Sequence, residues 1–241
     1  MKSMKIILLA LLTAFMGQIN AQDLEEVLES HFEAINQDAV VNIKSIHMVG
    51  KSGRMGQSFN FQIWQVRPSK SRMEVDIQGQ KMIQIYDGEK GYMVAPWTGS
   101  IEAQEVGETE VEQMAEQADM DGELWNWEEK GSQLTLEGIE DFEGTEVIVL
   151  QLINKNGNEK TIYLDADSFL MVKMTAKIQM QGSEILSETF FSNYKELDDM
   201  VMPFFIETKM NGQVANTITV ESMEFDKEID HKMFVKPETS K

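Results

Sequence analysis

Between Phe59 and Pro96 the chain reads FNFQIWQVRPSKSRMEVDIQGQKMIQIYDGEKGYMVAP, and this stretch restricts the possible folds more than any other. Phe59, Phe61 and Ile63 alternate with Asn60 and Gln62, and Met73, Val75 and Ile77 alternate with Glu74, Asp76 and Gln78. A period of two places one set of side chains on a dry face and the other on a wet one, which describes β-strands. The breaks at Arg67-Pro68, Gly79-Gln80 and Asp87-Gly88 are too short for crossover helices, so neighbouring strands run antiparallel. The segment is a meander.

Residues 1–21 read as a secretory signal. Lys2 and Lys5 form the positive end, Ile6 to Met16 is apolar except for Thr13, and the small residue Ala21 precedes the expected cut. The apolar run is too short to span a bilayer core of about 30 Å. With no cysteine anywhere, disulfides, thiolate metal sites, thiol catalysis and a lipid-modified cysteine after the signal are all excluded. The expectation is a protein free in the periplasm of a Gram-negative bacterium, with residues 22–241 forming one domain. The formal net charge is −20; loss of the two signal lysines makes it −22. Such a surface repels nucleic acid and anionic lipid headgroups.

Leu24, Val27, Leu28, His31, Phe32 and Ile35 fall on one stripe of a 3.6-residue period, which predicts an amphipathic helix over 22–37. Strands are predicted at 41–50, 55–66, 70–78, 81–86 and 89–95. An acidic helical region follows over 105–129. Strands then resume at 132–138, 145–153, 159–165, 169–180, 184–195, 200–211 and 214–226. Asn156-Gly157, Gln181-Gly182 and Asn211-Gly212 are hairpin signals. The fold class is mainly β (α+β), a curved antiparallel sheet of about 11–12 strands with its hollow side covered by the few helices. A hollow side facing helices is a candidate cavity.

The chain holds 18 methionines, three of them (Met1, Met4 and Met16) in the signal. Many of the rest lie in strands, where they serve either as ordinary gap-fillers or as an adaptable lining for an apolar guest. Catalytic patterns are sparse. His31, His47 and His231 lack metal-ligand spacing, and no GxSxG elbow, P-loop or dinucleotide fingerprint is present. The expectation is a protein that is not an enzyme and uses neither metal nor cofactor. Arg67 closes an apolar strand ahead of Pro68. It is either a water-exposed strand-end residue or a charge-assisted latch from the sheet to carbonyls or acids of the covering helices.

The order of these features resembles the LolA-like family of periplasmic lipoprotein carriers. Ile63-Trp64-Gln65-Val66-Arg67-Pro68 is similar to that family's Leu-Trp-x-x-Arg-Pro strand end. Tyr86-Asp87-Gly88-Glu89-Lys90 with Val94-Ala95-Pro96 is similar to its Asp-Gly-Lys hairpin. Leu164-Asp165-Ala166-Asp167, Met171-Val172-Lys173-Met174 and Phe234-Val235-Lys236-Pro237 resemble its later strands and tail. The resemblance implies an unclosed half-barrel lidded by helices, with an apolar cavity that shields lipoprotein acyl chains. The expected cavity lining is Phe59, Phe61, Ile63, Met73, Val75, Ile77, Met93, Met174 and Ile178. Trp64, Arg67, Pro68, Val111, Met114 and Ala118 form the expected lid and latch. Expected partners are lipoprotein acyl chains or other lipids, an inner-membrane lipoprotein-releasing transporter and an outer-membrane acceptor, bound by a monomer. The alternative is a regulatory sensor resembling RseB that binds a protein partner.

Overall fold

The computed structural model describes residues 19–54, 56–99, 102–180 and 182–237. The expected signal lies outside these except for its last three residues, which open helix α1 (Ile19–Ile35). Asn36 adopts a left-handed backbone (φ 55°) that ends α1 and starts the single turn α2 (Gln37–Val40). A meander follows: β1 (Ser45–Arg54), β2 (Gln57–Val66), β3 (Lys70–Ile77), β4 (Gln80–Tyr86), β5 (Gly91–Val94) and the two-residue β6 (Gln104–Glu105). Helix α3 (Glu108–Ala118) and a turn-rich strap over 119–131 come next. The remaining strands are β7 (Gln133–Phe142), β8 (Thr145–Ile153), β9 (Glu159–Asp165), β10 (Met171–Met180), β11 (Ser183–Leu197), β12 (Met200–Met210) and β13 (Gln213–Phe225).

All thirteen strands form one sheet in the order β6-β5-β4-β3-β2-β1-β13-β12-β11-β10-β9-β8-β7. Each step is antiparallel, and β1 joins the two meanders by pairing with β13. The first strand lies a few residues later than expected, because the Gly-containing run 50–54 continues the ladder instead of turning. Gly50 is needed there: a Cβ would collide with the Thr219 carbonyl and lie 2.8 Å from the Phe61 ring. The strap is not helical, unlike the expectation for 119–129. Gly122 has φ +79°, a left-handed conformation incompatible with continuing a right-handed helix.

The sheet curls without closing. Met114 on α3 sits so close over Gly91 of β5 that a Cβ there would lie 2.7 Å from its sulfur. Two residues on, Glu116 pairs with Lys160 of β9. Strands β5 and β9 are nine steps apart, which in a flat sheet is roughly 43 Å at about 4.8 Å per step. One eleven-residue helix touches both flanks only if the sheet bends around it. The terminal strands β6 and β7 remain unpaired with each other.

Both faces of the sheet are buried in places. On the inner face, Leu28 of α1 and Leu124 of the strap pack on Ile148, Leu150, Leu152, Ile162 and Leu164. Val40 and Met120 pack on Phe204, Val220 and Met223. On the outer face, Phe234 from the C-terminal segment is fully buried against Ile85, Tyr92 and Val94. That second contact explains why β4 and β5 are apolar on both faces, where simple alternation predicts one wet side.

Candidate functional site

The cross-strand register sorts the expected lining. Phe59, Phe61 and Ile63 pair with Ser52, Gly50 and Met48 on β1, and Phe61 and Ile63 pair with Val75 and Met73 on β3. Ile77 lies two residues beyond Val75, and Gln84, opposite Met73, pairs with Met93. Directly paired residues point to the same face, so these seven share one face. Met48 packs beneath α2 and the strap, which identifies this face as the inner one. On the far side of the sheet Met174 pairs with buried Ile162 and packs on the α1 cluster. Ile178, four residues later, points the same way. The structure therefore brings all nine residues to the inner face of the curl.

Their burial differs. Phe61 and Val75 are 4 % and 8 % exposed, while the other seven are half-buried. Among the nine only Met174 belongs to the clusters packed beneath the helices. Phe59, Ile63, Met73, Ile77, Met93 and Ile178 form a half-buried apolar wall outside those clusters, extended by Met82 opposite Val75 and by Ile185 opposite Ile178. A separate apolar cavity of about 240 Å³ lies between α1, the strap and β10–β12, lined by Phe32, Ile35, Met120, Leu124 and Met202 among others.

Arg67 leaves the end of β2 and turns toward the covering layer. Its Nε donates to the Ile43 carbonyl at 2.6 Å, and its Nη2 donates to the Val40 carbonyl at 3.0 Å. Nη1 and Nη2 also grip both oxygens of Asp121 on the strap at 3.0 and 2.5 Å. A planar guanidinium can make this fork-to-fork pair where a lysine cannot. The two carbonyls sit at and just beyond the C-terminus of α2, and that of Val40 also accepts from the Ile43 N–H at 3.2 Å. One side chain thus ties together the sheet, α2 and the strap. The strap has further attachments: Gln37 donates to the Asp121 carbonyl, and Gln65 donates to the Gln117 carbonyl at the end of α3.

The other expected lid residues divide. Met114 and Ala118 are buried against Tyr86, with Val111 beside them. Trp64 lies on the outer face, apart from the lid. It stacks on His47 with centroids 5.0 Å apart and packs in the cluster around Phe234. Alternation from Ile63 already sends it there, whereas grouping it with Arg67 by sequence proximity does not. Pro68 is exposed, and the Arg67–Pro68 peptide is cis.

Sequence reasoning missed Asp121 and a second tie. Lys160 on β9 is 12 % exposed, and its Nζ meets Glu116 at 3.0 Å and Glu123 at 2.5 Å. Burial alone lowers the lysine's pKa, but the two carboxylates more than offset it and the net shift is upward, so the ammonium stays charged. Nothing in a linear reading pairs residue 160 with residues 116 and 123. Lys160 stands between Glu159 and Thr161 at the polar start of β9, which gives no signal of a buried role. On α1, His31 is buried and its Nδ1 lies 2.8 Å from the Phe169 carbonyl. Burial lowers its pKa, with the carbonyl contact only partly opposing. Among the described residues no group of three or more His, Asp or Glu side chains is arranged to hold a metal ion.

No family model matches the chain, and no curated protein matches it in sequence. Solved structures do match in shape. A DUF1329 family protein from Desulfovibrio piger aligns over 87 % of this chain and 97 % of its own, with a TM-score of 0.60 and 13 % identity. A LolA superfamily protein from Nitrosomonas europaea aligns over 88 % and 97 %, with a TM-score of 0.60 and 11 % identity. The fold is LolA-like. A candidate outer membrane lipoprotein-sorting protein domain from Vibrio parahaemolyticus matches similarly, over 87 % and 96 % at a TM-score of 0.59 and 12 % identity. At such identities the likeness concerns the LolA-like architecture, an open curl of antiparallel strands with helices on its inner face.

Two outcomes test this description. Arg67→Leu leaves Asp121 and the Ile43 carbonyl without the Arg67 donor and removes one of the two bonds to the Val40 carbonyl, costing roughly 2–3 kcal/mol. Amide exchange should accelerate over residues 38–44 and 119–125 while β11–β13 keep their protection. Unchanged exchange in those two segments would show that Arg67 does not fasten the lid. For His31 the folded pKa lies below the unfolded value of about 6.5. Its contribution is therefore complete above about pH 6.5 and is lost as pH falls through the folded pKa. Thermal stability should decline from pH 7 to pH 5, and His31→Gln should flatten that slope; an identical slope in the variant would exclude His31 as its source.

Proposed function

We propose that this protein is an exported, periplasmic carrier that shelters the acyl chains of lipoproteins or related lipids against the inner face of its curled sheet. The observation that carries this reading is the half-buried apolar wall of Phe59, Ile63, Met73, Ile77 and Ile178, which among the described residues lies outside the clusters packed beneath the helices and strap. A soluble protein that leaves such a wall open gains from covering it with an apolar guest. Each CH₂ moved out of water contributes about 0.8 kcal/mol, so one long chain supplies ample binding energy. Methionines at 73, 82 and 93 suit a flexible guest, since the unbranched thioether adapts to varied shapes. The LolA-like architecture shared with a LolA superfamily protein and a lipoprotein-sorting domain supports the same reading. Loading by an inner-membrane lipoprotein-releasing transporter and delivery to an outer-membrane acceptor complete the proposed route. Chemistry on the cargo has no place in it.

Native mass spectrometry with lipid extraction, on protein purified from the periplasm of its own source, tests the proposal. The expected result is a co-purifying acylated peptide or lipid. Ile77→Asp, which puts a carboxylate on the apolar wall, should weaken binding of a fluorescent fatty acid by about tenfold or more. Protein that emerges empty and also fails to bind fatty-acyl probes would refute the carrier reading.

A further inference from the structure

Where α1 meets the strap the surface is concave. A groove of about 720 Å³ runs along the flank of α1, floored by buried Leu28 and by half-buried Phe32 and Trp125. The Phe32 and Trp125 rings meet edge to face with centroids 5.0 Å apart, so this floor is fixed in place. A second hollow of about 260 Å³ shares the same three residues and continues along the strap to Trp127. Carboxylates rim both hollows: Glu25, Glu29 and Glu33 on α1 with Asp38 beyond them, and Glu128 and Glu129 on the strap. Among the described residues, no lysine or arginine lines either one. The acids of the lid interior each meet a cation, but among the described residues none of these six forms an ion pair.

We propose that this groove docks a basic amphipathic helix of a partner protein, with an apolar anchor over Phe32 and Trp125 and lysines or arginines against the two rims. The proposal concerns the flank of α1, not the apolar wall of the sheet, and does not depend on the carrier reading. Charge complementarity selects the occupant. Nucleic acid and anionic headgroups are repelled by the rims, and a second copy of this chain would bring the same acids and the same formal charge of −20. A metal ion finds no cluster of three ligands among the described residues, and a simple polycation would leave the aromatic floor uncovered. Spacing selects the form. Glu25, Glu29 and Glu33 succeed one another at i, i+4 and i+8, about 6 Å apart along the axis, and like charges so placed destabilise their own helix. A partner helix laid along α1 repeats its own i, i+4 positions at that interval, so its cations meet these carboxylates while its apolar stripe covers the floor. Docking relieves both the repulsion and the exposed rings.

The probe is a fluorescein-labelled helical peptide of about fifteen residues, long enough to follow α1 for about 22 Å, with lysine at every fourth position and leucine on the adjoining stripe. Fluorescence anisotropy is read at about 0.15 M salt, where charges more than about 8 Å away are screened and the bulk acidity of the protein contributes little. The expected result is saturable binding in the micromolar range. Glu25→Gln/Glu29→Gln/Glu33→Gln should weaken it by about tenfold or more. Glu140→Gln/Glu143→Gln/Glu146→Gln removes the same charge from exposed positions of the β7–β8 hairpin and should change the affinity by less than about twofold. Neither triple variant removes a buried side chain, so the comparison is not confounded by misfolding. Serine in place of the peptide's leucines should also weaken binding by about tenfold, because the aromatic floor then stays wet. Absence of saturable binding overturns the docking site. Equal losses in the two triple variants, or equal affinity for the serine and leucine peptides, overturn it as well, since either would reduce the attraction to unspecific charge.

Discussion

A sheet of thirteen strands that bends but does not close must solve two problems, and the rest of the structure follows from how it does so. Its inner face is apolar and too wide for three short helices, and its end strands carry unpaired backbone groups. A helix and strap laid across the inner face answer the first in part, provided something fixes them to a wall with which they share no backbone ladder. Arg67 is that fixture. Its fork reaches the strap through Asp121 and α2 through the carbonyls of Val40 and Ile43, so three elements distant in sequence are registered by one guanidinium. A lysine could supply the charge but not the simultaneous bidentate grip.

The acidic composition becomes intelligible in this light. Where acids face the interior of the lid they are paired, Asp121 with Arg67, Asp119 with Lys130, Glu116 and Glu123 with Lys160. The lid is thus the acid-rich partner and the sheet supplies Arg67 and Lys160. Such an arrangement gives the lid a definite position through paired charges, in contrast to the dry packing around Leu150, Ile162 and Leu164. The LolA-like architecture does not by itself determine cargo, since one fold serves many ligands. The open wall from Phe59 to Ile77 is what directs the reading toward acyl chains.

Much of this was legible in the chain. Alternation over 59–63 and 73–77 fixes which side chains share a face, because a register slip of one residue would send the whole apolar set to water. Arg67 stood out as a cation ending an apolar strand. Its partners did not, because Asp121 lies in a strap whose path is set by tertiary contacts and by the backbone of Gly122. Lys160 was hidden for the same reason: ion pairs between β9 and α3 depend on how tightly the sheet curls. The outer-face cluster around Phe234 escaped notice because a single 3₁₀ turn near the C-terminus has no periodicity to read. Trp64 was misplaced with the lid for want of applying the period of two to it.

Photo-crosslinking with a diazirine-bearing palmitate, followed by mapping of the adducts by mass spectrometry, tests the central claim most directly. The account predicts adducts on inner-face residues of β2, β3 and β10, at Phe59, Ile63, Met73, Ile77 and Ile178. Adducts confined to the outer face around Trp64 and Val94, or none above a carboxylate-free control, would contradict it.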